Sequence, residues 1–463
     1  MSLLRLVLAG LLLLLLLPPA ARAADAPGAD TSGAGPLAAT SEVPWTPPAP
    51  VPAAHPWETA LRVPGFLLSL PLQALGRTTE SGLVYVEDSN LIPRALALLA
   101  FQRHLGLAVT PASLGDGTGW GGAVSWSPPV IGRHVTGEVS GSTAGYNRER
   151  AALFVGAVRA VYTSEWRPED PFFGIGMDTR HGDETGYAVR SQSARLTMVW
   201  PHVERSRVAM QMVDGVLVHP AMPADAPART QLALWGGPDQ RFVTHGRGED
   251  PSFETSFPGI AAVSLDRRVE RLIYGARLTG DQRFGLPRWN RGWRASVEAE
   301  RHDRSIEALA LKDAHSDART FTRFTYAAEA GVSAGTDPRT VRLAVRVVDQ
   351  VLDRGGGAFL IPDFVSLGGA EGLSGFEAGR FRDVDLVLGR LSYIFPLGKN
   401  LEFDWHVEAG GAFPHLSTVR PDRLETSYGG LLRVRADHAM LGAVGVEWSR
   451  ESVRLRFSIG GVE

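Results

Sequence analysis

The 463-residue sequence predicts an all-β fold: an antiparallel transmembrane β-barrel preceded by a short helical segment. Three observations lead there. Apolar and charged residues alternate with period two in stretch after stretch. The stretches reach the roughly 9 to 11 residues that a tilted membrane strand needs. Short connections such as Gly398-Lys399-Asn400 alternate with long ones at 165–185, 219–256 and 353–383, which is the turn-and-loop asymmetry of membrane barrels.

From the N-terminus, Arg5 precedes an apolar core, Leu6 to Leu17, and a Pro18-Pro19 break leads to Ala21-Arg22-Ala23. That order predicts a signal peptide at 1–23, cleaved near Ala23, because the core falls short of the roughly 20 residues that span a bilayer. Residues 24–56, rich in Pro and Ala, read as a linker. Over 57–105 two apolar stretches read as a periplasmic helical segment: Leu61 to Leu75, and a second from Pro93 to a stop at Gly106. The barrel is expected over 106–463.

Within it the clearest strand is 401–413, with Leu401, Phe403, Trp405, Val407, Ala409 and Phe413 on one face and Glu402, Asp404, His406 and Glu408 on the other. Residues 293–300, 341–347, 432–437 and 453–459 alternate in the same way. Fourteen segments are legible, among them 118–127 as the first strand, 149–164, 205–218 and 257–267. Gln231 to Trp235 and Arg241 to His245 offer a short further pair. Trp120, Trp126, Trp166, Tyr187, Trp293, Tyr393 and Trp448 fall near strand ends, where an interfacial aromatic girdle belongs.

Composition excludes several classes. The chain has no cysteine, so disulfides, thiolate metal sites and a lipid-anchored N-terminus are ruled out. A formal charge of -3 gives no reason to expect nucleic acid. Glu402, Asp404, His406 and Glu408 share a strand face and can be read as an acid-base or metal cluster, but a charged lumen is the ordinary explanation. Ser140 and His134 also share a face, roughly 20 Å apart along it. Gly331-Val332-Ser333-Ala334-Gly335 matches a nucleophile elbow only by letters, since Thr336-Asp337-Pro338 leads into another strand rather than a helix. No catalytic residue, cofactor or metal is expected.

The stretch Leu367-Gly368-Gly369-Ala370-Glu371-Gly372-Leu373-Ser374-Gly375-Phe376, followed by Gly379-Arg380-Phe381-Arg382-Asp383, resembles the signature loop of the bacterial surface antigen barrels. This is the outer-membrane assembly-factor superfamily of Bam- and Tam-type proteins. Tyr393-Ile394-Phe395-Pro396-Leu397 and His406-Val407-Glu408-Ala409-Gly410 match the two strands that follow that loop, and Phe172 to Gly176 and Leu265 to Arg268 look like further family segments. The resemblance spans roughly 57–461 and is most specific over 360–413. It implies sixteen strands, two more than are read directly. It also implies a loop folded into the lumen, held by an arginine that pairs with an acid of the next strand. Here Ser374 stands where that arginine belongs and Glu408 where the acid belongs, so Arg380 or Arg382 is expected to supply the donor. No POTRA domain fits before the barrel, which implies a short branch of the superfamily.

The resemblance further implies lateral opening between the first and last strands. Glycines 119, 121 and 122 are expected to face Gly460 and Gly461 across a weak seam. The function so implied is protein or lipid insertion or translocation in the bacterial outer membrane. The expected partners are membrane lipid and lipopolysaccharide, client outer-membrane proteins, and the barrel-assembly machinery for the chain's own insertion. The alternative is a passive diffusion channel with a charged lumen.

Overall fold

The computed structural model describes residues 106–461 apart from 113–118, 129–130, 132–133, 201–210, 214–215, 219–228, 248–251, 284–290, 304–319, 335–338, 354–358, 370–371, 398–400 and 437–438. The signal-peptide, linker and helical-segment assignments at 1–105 lie outside the described residues.

The barrel wall starts with β1 (Leu107–Ala112), β2 (Gly121–Trp126), β3 (Val135–Ser142), β4 (Asn147–Val155), β5 (Val158–Phe172) and β6 (Thr185–Trp200). A small hairpin, β7 (Gln211–Val213) and β8 (Val216–Val218), precedes β9 (Arg229–His245). Two short helices follow, α1 (Phe253–Ser256) and α2 (Pro258–Ser264), and then β10 (Arg267–Asp281), β11 (Gly292–Asp303), β12 (Phe321–Ala334) and β13 (Arg339–Leu352). A second hairpin, β14 (Val365–Leu367) and β15 (Phe381–Asp383), leads to β16 (Asp385–Pro396), β17 (Leu401–Phe413), β18 (Glu425–Ala436), β19 (Ala439–Ser449) and β20 (Val453–Gly461). Sixteen strands form one sheet in chain order, each antiparallel to its neighbour, while β7–β8 and β14–β15 form separate two-stranded sheets.

Sixteen is reached by a different route from the sequence reading. The first strand is β1, whose LAVTPA sequence lacks alternation and carries Pro111, a residue tolerated at a sheet edge. The segment 149–164 is two strands, β4 and β5, turned at Gly156 with φ +54°. The first eight residues of the long connection expected at 165–185 are strand, since β5 runs to Phe172. Segment 205–218 gives only the β7–β8 hairpin, outside the main sheet.

The two short candidates at Gln231 and Arg241 belong to the single strand β9, and Gly236-Gly237-Pro238 interrupts its pattern. Segment 257–267 is α2 and the turn into β10. In β10 the inward Val269 and Ile273 are apolar but flank the inward Arg271, and the outward Arg268 and Glu270 are charged, which breaks the expected alternation near that end.

Burial runs opposite to that of a water-soluble sheet. Leu196 is 57% exposed and Leu455 is 70% exposed, whereas Arg271 is 2% exposed and His406 is fully buried. Water would not leave such an apolar belt uncovered, but hydrocarbon satisfies it, and the charges then share the lumen. Two aromatic residues depart from the expected faces. Phe413 is buried against the lumenal loop, and Tyr187 points inward and is buried rather than joining a girdle. Among the described residues no backbone ladder joins β1 to β20.

Candidate functional site: a loop latched inside the barrel

The connection from β13 to β16 folds inward as the β14–β15 hairpin, with Val365 opposite Asp383 and Leu367 opposite Phe381. Its tip needs glycine at Gly368, where φ is +117° and a side chain would strike the Glu377 carbonyl. The Gly368 N–H donates to the Gly372 carbonyl at 2.8 Å, and the Gly369 N–H donates to Phe376 at 2.9 Å, closing the tip on itself. Leu367, Leu373, Phe376 and Phe381 are fully buried against Met177, Val348, Leu386, Ala412 and Phe413. Each such side chain contributes about 1.5–3 kcal/mol relative to exposure, so apolar packing holds the loop as strongly as its polar bonds do.

The tip meets the wall at Ser374. Its N–H donates to Glu408 Oε2 at 2.6 Å, and its Oγ lies 2.8 Å from the same oxygen and 2.9 Å from Glu447 Oε2. A hydroxyl has one proton, so it donates to one of these carboxylates at a time. Ser427 Oγ donates to Glu408 Oε2 at 2.9 Å, and Arg390 Nη1 donates to Glu408 Oε1 at 3.3 Å. His406 Nε2 is 2.9 Å from Glu447 Oε2. Arg433 binds both Glu402 and Asp404, and Arg390 Nη2 reaches Asp404 at 3.4 Å.

The expected Arg380 or Arg382 partner for Glu408 is not what forms. Ser374 bonds Glu408 itself, and the cation is Arg390, which sits directly opposite Glu408 in the β16–β17 register. The two loop arginines bond elsewhere, Arg380 to the β19–β20 turn and the β5–β6 connection and Arg382 to β5 and β6. Arg380 makes a two-pronged pair with Glu451, at 2.8 and 3.0 Å, and donates to Thr179. Its guanidinium also lies over the Phe173 and Phe381 rings. Arg382 donates to the Tyr187 hydroxyl at 2.8 Å and to the Gly379 and Pro171 carbonyls. The loop therefore touches β17, β19, the β19–β20 turn and the β5–β6 connection.

A second latch lies at the start of the loop and was missed with β10. Arg271 pairs with Asp363 at 2.5 Å and with Asp239 at 3.3 Å, all three being buried. Arg241 donates to the Pro362 carbonyl at 2.8 Å, and Arg323 and Gln350 donate to the Asp363 carbonyl at 2.9 and 3.1 Å. Glu447 and Arg390 were legible as inward positions of alternating strands, but nothing local in the sequence marks them as loop contacts.

The seam glycines are placed differently from the expectation. Gly121 and Gly122 lie in β2, opposite Ala112 and Pro111 on one side and Ser142 and Gly141 on the other. Gly119 precedes β2, Gly461 pairs with Met440, and Gly460 lies in β20. They do not face one another, because β1 intervenes. Outside the latches, ligand atoms of His181, Glu184 and Glu377 lie within 4.8 Å of one another. Burial and the neighbouring Glu377 push the Glu184 carboxyl up.

Gly375 tests how closely the tip seats on β19. A Cβ there would lie 2.5 Å from the Trp448 backbone carbon and oxygen. Gly375→Ala is expected to lift the tip at about 1–3 kcal/mol. Trypsin should then cut after Arg380 or Arg382 about tenfold faster, and unchanged cleavage would contradict this seating.

No protein-family model matches the sequence, and no curated protein matches it. The structure is similar to that of BamA from Haemophilus ducreyi lacking POTRA domains 1-3, with 11% identity and a TM-score of 0.46 over 81% of this chain and 78% of that one. It is also similar to CdiB from Escherichia coli, with 15% identity and a TM-score of 0.45 over 76% of this chain and 62% of that one. CdiB from Acinetobacter baumannii gives 13% and 0.40, over 76% and 64%. The chain thus spans less than two thirds of either CdiB chain.

Proposed function

We propose that the chain is an outer-membrane barrel of the surface-antigen type that inserts or translocates proteins or lipids, using its first and last strands as a lateral gate. The observation that carries this reading is a lumenal loop latched to the wall in a barrel whose β1 and β20 share no ladder among the described residues. Unpaired strand edges present donors and acceptors that can template a client strand by β-augmentation. The latched loop favours this reading over passive diffusion, because it obstructs part of the lumen that a channel keeps open. In this proposal the clients are outer-membrane proteins, the surroundings are lipid and lipopolysaccharide, and the barrel-assembly machinery inserts the chain itself. It performs no catalysis and binds no nucleic acid.

The native chain has no cysteine, so a disulfide lock can be introduced cleanly. Cysteine pairs placed along Leu107–Ala112 and Val453–Gly461 should, once oxidised, abolish assembly of an unfolded outer-membrane barrel presented to proteoliposomes, and reduction should restore it. Full assembly by the locked protein would rule out the gate.

A further inference from the structure

The latched loop does not fill the lumen. Beside it lies a cavity of about 1970 Å³, walled by β3 to β6, by β9 to β11 and by the loop itself. Six adjacent wall strands each place an arginine in it: Arg150 of β4, Arg159 of β5, Arg195 of β6, Arg241 of β9, Arg277 of β10 and Arg294 of β11. Among its described lining residues, eight arginines face four carboxylates, an excess of four positive charges. All four carboxylates are already engaged by arginine. Glu165 and Asp170 pair with Arg167, Asp239 with Arg241 and Glu300 with Arg195. Outside the lining, Arg277 also holds Glu298 at 3.5 Å.

The strand registers order these arginines. Arg241 is level with Val269 of β10, and Arg150 is level with Arg271 through Thr163, Ser193 and Asp239. Leu196 lies level with Tyr274, so Arg195 is level with Ile273. Arg159 is level with Gly275 through Thr197 and Trp235, Arg277 follows, and Arg294 is level with Asp281. In ladder level the arginine Cα positions are therefore spaced by two residues, about 7 Å along the strand, with one double step before Arg294. Arg241, Arg195 and Arg277 have carboxylate partners, but the lining still carries four more cations than anions, an excess that an anion in the cavity would offset. The planar guanidinium fork matches phosphate oxygens two at a time.

We infer that this cavity binds a molecule bearing several phosphate groups, which the arginine staircase holds along the lumen. The site goes beyond the insertion reading and does not rest on it. The phosphates belong either to a free polyphosphorylated solute or to a lipid headgroup reaching inward.

The test uses the full chain in nanodiscs of neutral lipid, titrated with tripolyphosphate by calorimetry. One molecule should bind per barrel, orthophosphate should bind more weakly, and affinity should fall steeply between about 50 and 500 mM salt. Arg150→Gln/Arg294→Gln should weaken binding at least tenfold, and Arg159→Gln serves as a second variant if that pair fails to fold. Competition by a short-chain phosphatidic acid assigns the site to a headgroup, and its absence assigns the site to a free solute. Failure of tripolyphosphate to bind, or equal binding by wild type and folded variants, overturns the inference.

Discussion

Arg271→Met is expected to destabilise the barrel more than any other single substitution of the loop's polar contacts, by about 3–5 kcal/mol, because it leaves the buried Asp363 carboxylate without its cation. Arg271 sits between Asp363 and Asp239, and Asp363, 1% exposed, loses its ion pair outright. The heat at which the folded band disappears on SDS gels should drop sharply. Adding Asp363→Asn should recover part of the loss, since the uncompensated charge then goes too.

The pH dependence has a definite sign. Burial pushes the Asp363 carboxyl up, but the charges of Arg271 and Arg241 more than offset it, and the group is held below its ordinary value of 3.8. Its contribution is therefore fully present above that value and is lost as pH falls through the lower folded value. The gap between wild type and Asp363→Asn should be constant from neutral pH down to the ordinary Asp range and close below it. In Arg271→Met the burial is opposed only by the Arg241 charge and the Leu360 N–H, so acidification should narrow the deficit from wild type. A deficit that widened on acidification would contradict the pair.

Glu408→Ala is the second large effect, expected at about 3 kcal/mol, and it should free the loop tip. Glu408 accepts from the Ser374 N–H, the Ser374 and Ser427 hydroxyls and Arg390. Ser374→Ala should cost less, about 1 kcal/mol, because the backbone N–H still reaches the carboxylate. Glu408→Gln should fall between them, since the amide keeps an acceptor but loses the charge. The Ser374→Ala/Glu408→Ala double variant should be less destabilised than the sum of the singles. Trypsin sensitivity at Arg380 and Arg382 reports the tip, and the gel shift reports the barrel. If Glu408→Gln and Glu408→Ala left both unchanged, the tip latch would not exist.

Legibility varied along the chain for physical reasons. Where one face meets lipid and the other a charged lumen, as in β11, β13, β16 and β17, period-two alternation is plain, and the read boundaries agree with the strands to within a residue or two. It fails in β10, where inward Val269 packs on Leu360 of the loop while its inward neighbour Arg271 is charged. It fails again in β9, because Gly237 must pass against the Ala194 carbonyl, which a Cβ would strike, and in the short edge strand β1. The loop motif was legible as a motif, and Glu408 as an inward acid. The identity of their partners was not. Arg390 reaches Glu408 only through the β16–β17 register, and Arg380 reaches Glu451 across 71 positions of chain.

The sequence by itself determined that this chain builds a run of long antiparallel strands with grease outward and charge inward, because strand periodicity and membrane thickness act residue by residue. It also placed the glycine-rich stretch at 368–379 between two strands. Which charge meets which was decided only by the tertiary structure. A lumen brings side chains together through strand register and curvature, and these depend on every strand between them. So Ser374 replaced the expected arginine at Glu408, Arg271 became the latch at Asp363, and the six wall arginines fell into a staircase.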